Sequence, residues 1–135
     1  MIGLDTNVLV RYLAQDEAKQ AALATRLVER QLSAAQPGFV SLVVLAELCW
    51  VLKRLYGASF AELEETVADM LGLPQFHLER REVVQSAVAL AKRTKGGKTG
   101  FVDAIISALA QAEGCTHTLT FDKDAARSAG MKLLA

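Results

Sequence analysis

The sequence has only two cysteines, two histidines and no excess of charge of either sign. Cys49 and Cys115 stand apart, without Cys-x-x-Cys or Cys/His spacing, so we expect reduced core residues rather than a disulfide framework or a zinc site. Fifteen basic residues balance fifteen acidic ones, so the molecule as a whole does not strongly attract a polyanion. Any nucleic acid must therefore be held by a local basic patch or by bound metal.

Aromatic residues and long apolar runs are also scarce. Aromatic side chains make up 6% of the chain, too few to indicate a platform that stacks successive single-stranded bases. The longest apolar stretch, residues 38–52, is too short to span a bilayer and contains Glu47. No basic and apolar leader precedes Asp5, so we expect a cytoplasmic protein without membrane association. No linker, low-complexity tract or repeat interrupts the chain, which predicts one domain over residues 1–135.

What the chain does have is alternating strand and helix patterns. Strands are predicted over residues 1–4, 39–41, 76–78, 116–121 and 131–134, with helices in the segments between them. Short apolar strands that alternate with helices predict an α/β fold, here a single three-layer α/β/α domain with a central parallel sheet of four to five short strands. In such sheets, ligands bind beyond the carboxyl ends of the strands.

Four acidic residues punctuate otherwise apolar or neutral stretches of this pattern. Asp5 and Asp122 each directly follow a predicted strand, and Glu47 and Asp103 lie in the first turns of predicted helices. A carboxylate that becomes buried in an apolar segment must be paired, hydrogen-bonded or metal-bound. Because these strand ends and helix starts meet at the same edge of a parallel sheet, we predict that the four carboxylates converge.

A cluster of this kind requires a cation. Two carboxylates about 4 Å apart repel by roughly 4 kcal/mol at an effective dielectric near 20. Oxygen ligands without His or Cys favour Mg²⁺ or Mn²⁺ over Zn²⁺, and such a site leaves metal positions open for water and a substrate phosphate. The pattern therefore favours metal-assisted phosphodiester hydrolysis. The alternative for Asp103 and Asp122 is a purely structural role at helix N-termini.

Polar and basic neighbours have candidate supporting roles. Thr6, Asn7 and Thr120 are placed to hydrogen-bond metal-bound water or to fix the carboxylates. The alternative makes Thr6 or Asn7 a helix N-cap and Thr120 a plain strand residue.

Five basic residues are candidates for contact with substrate phosphates, namely Lys92, Arg93, Lys95 and Lys98 in and before the loop that leads into the Asp103 helix, and Arg11 in the first helix. The alternative is a solvated helix end and loop.

Four sequence blocks together resemble those of the PIN-domain ribonucleases, most closely the VapC-like toxins of bacterial and archaeal toxin–antitoxin pairs. The likeness covers essentially the whole chain. The blocks are Leu4-Asp5-Thr6-Asn7, Ser41 through Glu47, Phe101-Val102-Asp103-Ala104, and Leu119-Thr120-Phe121-Asp122.

The resemblance implies the PIN arrangement of a central parallel sheet and Mg²⁺- or Mn²⁺-dependent cleavage of RNA. Asp5, Glu47, Asp103 and Asp122 would form the acidic quartet, with Asp5 and Asp103 as principal metal ligands and Asp124 as the alternative fourth acid. A second metal near Asp103 and Asp122 would stabilise the leaving oxygen, which predicts a 5′-phosphate product. The resemblance also implies a homodimer and a cognate antitoxin whose C-terminal segment occupies the active-site groove.

Three other functions compete with this one. A receiver-like phosphoacceptor domain also carries acids at strand ends, but it needs an adjacent acidic pair after the first strand and a Lys ending the last main strand. Here Asp5 is followed by Thr6 and Asn7, and the late strand ends in Phe121-Asp122. A catalytically silent PIN-like module that only binds a partner, and a nuclease directed at DNA, are the remaining alternatives.

Overall fold

A computed structural model describes residues 1–94 and 100–135 of the chain, and within them seven α-helices and five strands follow one another. The helices are α1 (Thr6–Ala14), α2 (Ala18–Arg26), α3 (Leu42–Tyr56), α4 (Phe60–Gly72), α5 (Arg81–Arg93), α6 (Phe101–Ala112) and α7 (Lys123–Ser128). The strands are β1 (Ile2–Gly3), β2 (Gly38–Val40), β3 (Phe76–Leu78), β4 (Leu119–Thr120) and β5 (Lys132–Leu133). A π-helical turn, Leu27–Gln31, continues α2. No helix in the described part of the chain is both long and apolar enough to cross a membrane.

The predicted α/β class with parallel strands is confirmed. In the described residues the strands pair in two sheets, β1-β2-β3 and β4-β5, where the sequence predicted one sheet of four to five strands. Every pairing is parallel. The pairing of β4 with β5 joins Leu119 to Lys132 and Thr120 to Leu133 and extends no further. A strand of two residues has few backbone groups that could pair with a further strand. The strand predicted over residues 116–121 is reduced to Leu119–Thr120 in the structure.

Two compact units make up the described chain, and the first comprises Met1–Ser59 with Asp69–Glu79. Its sheet has β2 in the centre, where Gly38 pairs with both Ile2 and Phe76. Helix α1 packs against α2 and α3. The fully buried side chains of this unit come from both helices and strands and include Leu9, Val28, Val40, Leu45 and Leu48.

Helix α3 has clear local signals at both ends. The Ser41 hydroxyl accepts a hydrogen bond from the Val44 backbone N–H at 3.1 Å, which satisfies one of the free donors of the first turn. Gly57 follows the last helical residue with φ of 68°, a left-handed conformation that costs glycine little. The glycine at position 57 predicts from the sequence that this helix ends at Tyr56, and the structure confirms it.

The second unit comprises Phe60–Ala68 with Arg80–Ala135. Helices α5 and α6 pack against each other, and Phe101 at the start of α6 is 2% exposed. Ala125 of α7 and two residues between α7 and β5, Ala129 and Met131, form a small buried apolar cluster. This unit contains the other two acids of the predicted quartet, Asp103 in the first turn of α6 and Asp122 before α7.

Candidate active site

Asp5 lies where the first strand becomes the first helix. The Leu4 N–H donates to the Phe39 carbonyl at 3.0 Å, so the sheet hydrogen bonding continues to the residue before Asp5. Asp5 then has extended backbone angles, and its Oδ1 accepts a hydrogen bond from the Thr6 N–H at 2.8 Å. Asp5 is therefore the N-cap of α1, and its carboxylate is exposed beside the positive end of that helix.

Thr6 connects Asp5 to Glu47. Its backbone N–H is bonded to Asp5, and its hydroxyl donates to Oε1 of Glu47, in the second turn of α3. Thr6 is buried at 5% exposure, whereas Asp5 and Glu47 are exposed. One buried residue thus holds one oxygen of each carboxylate in a fixed direction.

These residues line one cavity of about 320 Å³ in the first unit. Asp5, Thr6, Asn7 and Arg11 contribute from the start and end of α1, and Glu47 contributes from α3. The apolar part of the wall is formed by Val10, Val51 and Leu55. The structure therefore brings together five of the residues that the sequence singled out, with acids and a cation in the same cavity.

Two further residues were missed by the sequence analysis: Tyr56, which lines this cavity, and Asp16, which is bonded to two of the residues that line it. Tyr56, the last residue of α3, lines the cavity, and its hydroxyl donates to Oδ2 of Asp16 at 2.6 Å. Arg11 Nη1 lies 3.4 Å from Oδ1 of the same Asp16. The hydrogen bond from Tyr56 holds the pKa of Asp16 below its ordinary value, and the same bond raises the pKa of Tyr56. A tyrosine and an aspartate 40 positions apart carry no sequence signal that would pair them.

The donor set of the cavity fits a hard divalent cation. One oxygen of each carboxylate, Asp5 Oδ1 and Glu47 Oε1, is bonded to Thr6. The other oxygens, Asp5 Oδ2 and Glu47 Oε2, accept no hydrogen bond from the described part of the chain, so an oxygen-seeking ion can use them as ligands. In neither unit do three or more described His, Cys, Asp or Glu side chains form a metal-binding group.

In the second unit, Asp103 lies in the first turn of α6. Its backbone N–H donates to the Gly100 carbonyl at 3.1 Å, and the residue is half-buried. The N-cap residue, Gly100, has no side chain that could cap the helix. The carboxylate of Asp103 lies in the first turn, where a negative charge complements the positive end of the helix dipole.

Asp122 is the N-cap of α7. Its Oδ1 accepts hydrogen bonds from the N–H groups of Asp124 at 2.8 Å and Ala125 at 3.3 Å. Its own N–H donates to the Thr120 hydroxyl at 3.0 Å, so Thr120 fixes the turn between β4 and α7. Asp122 is exposed and Asp124 is half-buried.

The sequence matches the PIN domain family over residues 2–131. The chain belongs to the PIN-domain family. PIN domains are typically metal-dependent nucleases. The sequence search among curated proteins found no match. The family resemblance seen in the four sequence blocks is therefore confirmed at the level of the PIN domain.

Several sequence-based expectations about this PIN domain are wrong in detail. The N-cap of α1 is Asp5, not Thr6 or Asn7, because the helix already begins at Thr6. The apolar stretch around Glu47 does not bury it, since Val43 and Trp50 on α3 are themselves 78% and 58% exposed. Cys49 is buried as expected, but Cys115 is exposed in the segment after α6.

Convergence of the whole acidic quartet stays a prediction, as does the role of each residue in it. Asp5 and Glu47 lie in the first unit, and Asp103 and Asp122 lie in the second. Lys95 and Lys98, the loop cations expected to contact phosphate, lie outside the described residues. Arg11 in the first unit, and Lys92 and Arg93 in the last turn of α5, are the predicted phosphate-binding residues that the structure describes, and Lys92 and Arg93 are exposed.

Proposed function

We propose that this PIN domain is a Mg²⁺- or Mn²⁺-dependent endoribonuclease that acts as the toxin of a toxin–antitoxin pair. The observation that carries the proposal is the Thr6 link between Asp5 and Glu47 in a cavity that also contains Arg11. Carboxylate oxygens can hold a cation and a guanidinium can bind a phosphate, so the cavity offers both groups to a phosphodiester. The domain is proposed to span residues 1–135.

Asp5 and Glu47, together with Asp103 and Asp122, would hold the metal ions. When bound, Mg²⁺ or Mn²⁺ would activate a water for in-line attack on the phosphorus and neutralise the charge on the phosphoryl oxygens; the P–O3′ bond would break, leaving a 3′-hydroxyl on one fragment and a 5′-phosphate on the other. The oxygen-only donor set supports these ions over Zn²⁺. Asp124 is the alternative to Asp122 as the fourth acid.

The chain's own residues position the reacting groups. The Thr6 hydroxyl holds Glu47, and the Thr6 N–H holds Asp5, so that one oxygen of each carboxylate has a fixed orientation before any substrate arrives. Arg11 is held by Asp16 and by Gln20, whose Oε1 accepts from Arg11 Nε at 2.7 Å. In our proposal this guanidinium binds a phosphate of the RNA, and the exposed Asn7 hydrogen-bonds near the metal. Thr120 fixes the backbone of Asp122.

The proposed partners are an RNA substrate, a second copy of the chain and a cognate antitoxin. The homodimer and the antitoxin come from the resemblance to VapC-like toxins. Large apolar side chains that are exposed on the first unit, namely Leu23, Val43, Trp50 and Leu55, are of the kind that protein interfaces cover. We propose that the protein works in the cytoplasm.

Asparagine variants of the acids test the nuclease directly. Asn caps a helix about as well as Asp, so Asp5→Asn keeps the start of α1 while removing the charge. We expect Asp5→Asn and Asp103→Asn each to lower Mg²⁺-dependent RNA cleavage at least about 100-fold, because loss of an outer-shell partner already costs about 10- to 100-fold. Asp69→Asn, an exposed position on α4, is the matched control and is expected to cleave like the wild type. If both site variants cleave RNA as well as the wild type, and contaminating nuclease is excluded, the proposal that these acids support metal-dependent cleavage is wrong.

Three measurements separate the alternatives. A silent partner-binding module would show no Mg²⁺ or Mn²⁺ binding by calorimetry, and a receiver-like domain would bind beryllofluoride. Parallel assays with single-stranded and duplex DNA distinguish a DNA-directed nuclease. A short upstream reading frame with a DNA-binding N-terminus, and sequencing of 5′-phosphorylated RNA ends after induced expression, test the toxin assignment.

A further inference from the structure

One wall of the acidic cavity is aromatic. Tyr56 is 41% exposed at the end of α3 and lines the same cavity as Asp5 and Glu47. Its neighbour Leu55 is 68% exposed and lines it as well. A tyrosine ring that is open to solvent inside a site with a guanidinium and two carboxylates offers a flat apolar surface to a ligand.

Asp16 joins this ring to Arg11. Its Oδ2 accepts from the Tyr56 hydroxyl at 2.6 Å, and its Oδ1 lies 3.4 Å from Arg11 Nη1, so each oxygen serves one partner. Arg11 is fixed a second time through Nε, which donates to Gln20. An aromatic face and a cation from different helices are thereby held at one cavity by a single carboxylate in the loop between α1 and α2.

We infer that Tyr56 stacks on one base of a single-stranded RNA while Arg11 binds a neighbouring phosphate, with Asp16 as the positioning residue for both. This inference rests on the proposed ribonuclease function and names the form of the substrate. A cavity of about 320 Å³ is at the lower end of ligand-site sizes and suits one unstacked nucleotide rather than a duplex. Every base has a π-face, so stacking on Tyr56 strengthens binding without selecting a sequence.

Two fluorescent octamers distinguish the contribution of the Tyr56 ring to binding from that of Arg11. One is octauridylate, and the other has the same ribose-phosphate backbone without bases. Binding is measured in Mg²⁺ with the Asp103→Asn protein as the parent, so that the RNA is not consumed. Tyr56→Leu should weaken octauridylate binding about 5- to 100-fold and leave the abasic probe unchanged. Arg11→Gln should weaken both probes equally and reduce the salt dependence of binding by about one counterion.

Rescue and control variants exclude a merely structural effect. Tyr56→Trp keeps an aromatic face and should bind octauridylate within about threefold of the parent. Asp16→Ala should weaken both probes, because the ring and the guanidinium lose their common partner. Tyr12→Phe, a tyrosine on α1 whose ring packs on Phe76 and not at the cavity, should behave like the parent.

Equal octauridylate affinity of the parent and Tyr56→Leu overturns the inference, and so does an equal loss on both probes. If Tyr56→Leu leaves both probes unaffected but weakens co-purification with the protein from the neighbouring reading frame, the wall serves a protein partner and the inference is wrong. A parent that binds neither probe also overturns it. Cleavage by the wild-type protein is measured separately, so the nuclease proposal can stand while this inference fails.

Discussion

The hydroxyl of Thr6 donates a hydrogen bond to the carboxylate of Glu47, 41 positions later in the chain. Thr6 is the first residue of α1 and is buried, while Glu47 is an exposed residue of α3. The bond therefore ties two helices together and fixes the direction of an acid that would otherwise rotate in water. It couples the packing of the first unit to the geometry of the candidate active site.

Replacing Thr6 with valine tests this coupling. Valine keeps the branched shape but has no hydroxyl, so we expect the free energy of unfolding to fall by about 0.5–1.5 kcal/mol. RNA cleavage should fall further, by about 10- to 100-fold, because Glu47 is no longer oriented. Thr6→Ser retains the donor and should keep most of both properties. Urea denaturation and the cleavage assay give the two values, and a Thr6→Val protein equal to the wild type in both would contradict the proposed role.

The two possible roles of Asp122 can be separated by a pair of substitutions. Asp122→Asn preserves an N-cap for α7 and should change stability by less than about 0.5 kcal/mol, while Asp122→Ala should cost about 1 kcal/mol. If Asp122 also supplies charge to the metal site, both variants should lose cleavage activity. Full activity in Asp122→Asn would leave Asp122 as a helix cap alone, and Asp124→Asn would then be the variant to assay for the fourth acid.

The contact between Tyr56 and Asp16 predicts a specific pH dependence. The hydrogen bond to Asp16 raises the pKa of the Tyr56 phenol above its ordinary value of 10.0, so the stabilisation from this contact is complete below pH 10 and is lost as pH rises through the raised pKa. The same bond lowers the pKa of Asp16 from 3.8, so at the acid end the stabilisation is lost as pH falls through that lowered value.

Phenolate absorbance measures the alkaline half of this prediction. In a Tyr12→Phe protein, Tyr56 is the remaining tyrosine and should ionise above pH 10. Asp16→Ala in the same background removes the acceptor and should return the midpoint toward 10.0. Identical midpoints in the two proteins would show that Asp16 does not hold the hydroxyl.

The two cysteines should differ in reactivity toward a maleimide. Burial raises the pKa of the Cys49 thiol to about 12, and this residue is 3% exposed, so hardly any thiolate is available to react at neutral pH. Cys115 is exposed. We expect one label per native chain and two after denaturation, with native labelling abolished in Cys115→Ser and retained in Cys49→Ser. Rapid labelling of the native Cys115→Ser protein would mean that Cys49 is accessible.

Local signals explain why much of the fold could be predicted. Gly57 marks the end of α3 in the sequence and does so in the structure, whereas Ser41, which the sequence placed in the preceding strand, is the N-cap of the helix. Gly38 was not predicted to belong to a strand, because a Pro-Gly pair such as Pro37-Gly38 is typical of a turn. In the structure Gly38 is the first residue of β2, where an added Cβ would lie 2.6 Å from Cδ1 of Leu4. A requirement for close approach between segments cannot be found in a single sequence.

The composition of the candidate site was harder to predict than its location. The position of Asp5 after the first strand was clear, but its second role as a helix cap depends on where the helix begins. The exposure of Glu47 was not predicted, since the apolar side chains around it do not reveal which face of α3 is covered. The bonds that Asp16 makes with Tyr56 and Arg11 depend on how α1, α2 and α3 pack, which periodicity does not encode.

The cavity walls come from regular structure rather than from long loops. Apart from Asp5, which caps α1, each of its lining residues lies within α1 or α3. The backbone conformational entropy of these residues is already lost when the protein folds, so a nucleotide that enters need not order the chain around it. Such a surface should bind with little rearrangement, and its affinity should depend on the contacts it makes rather than on the cost of assembling it.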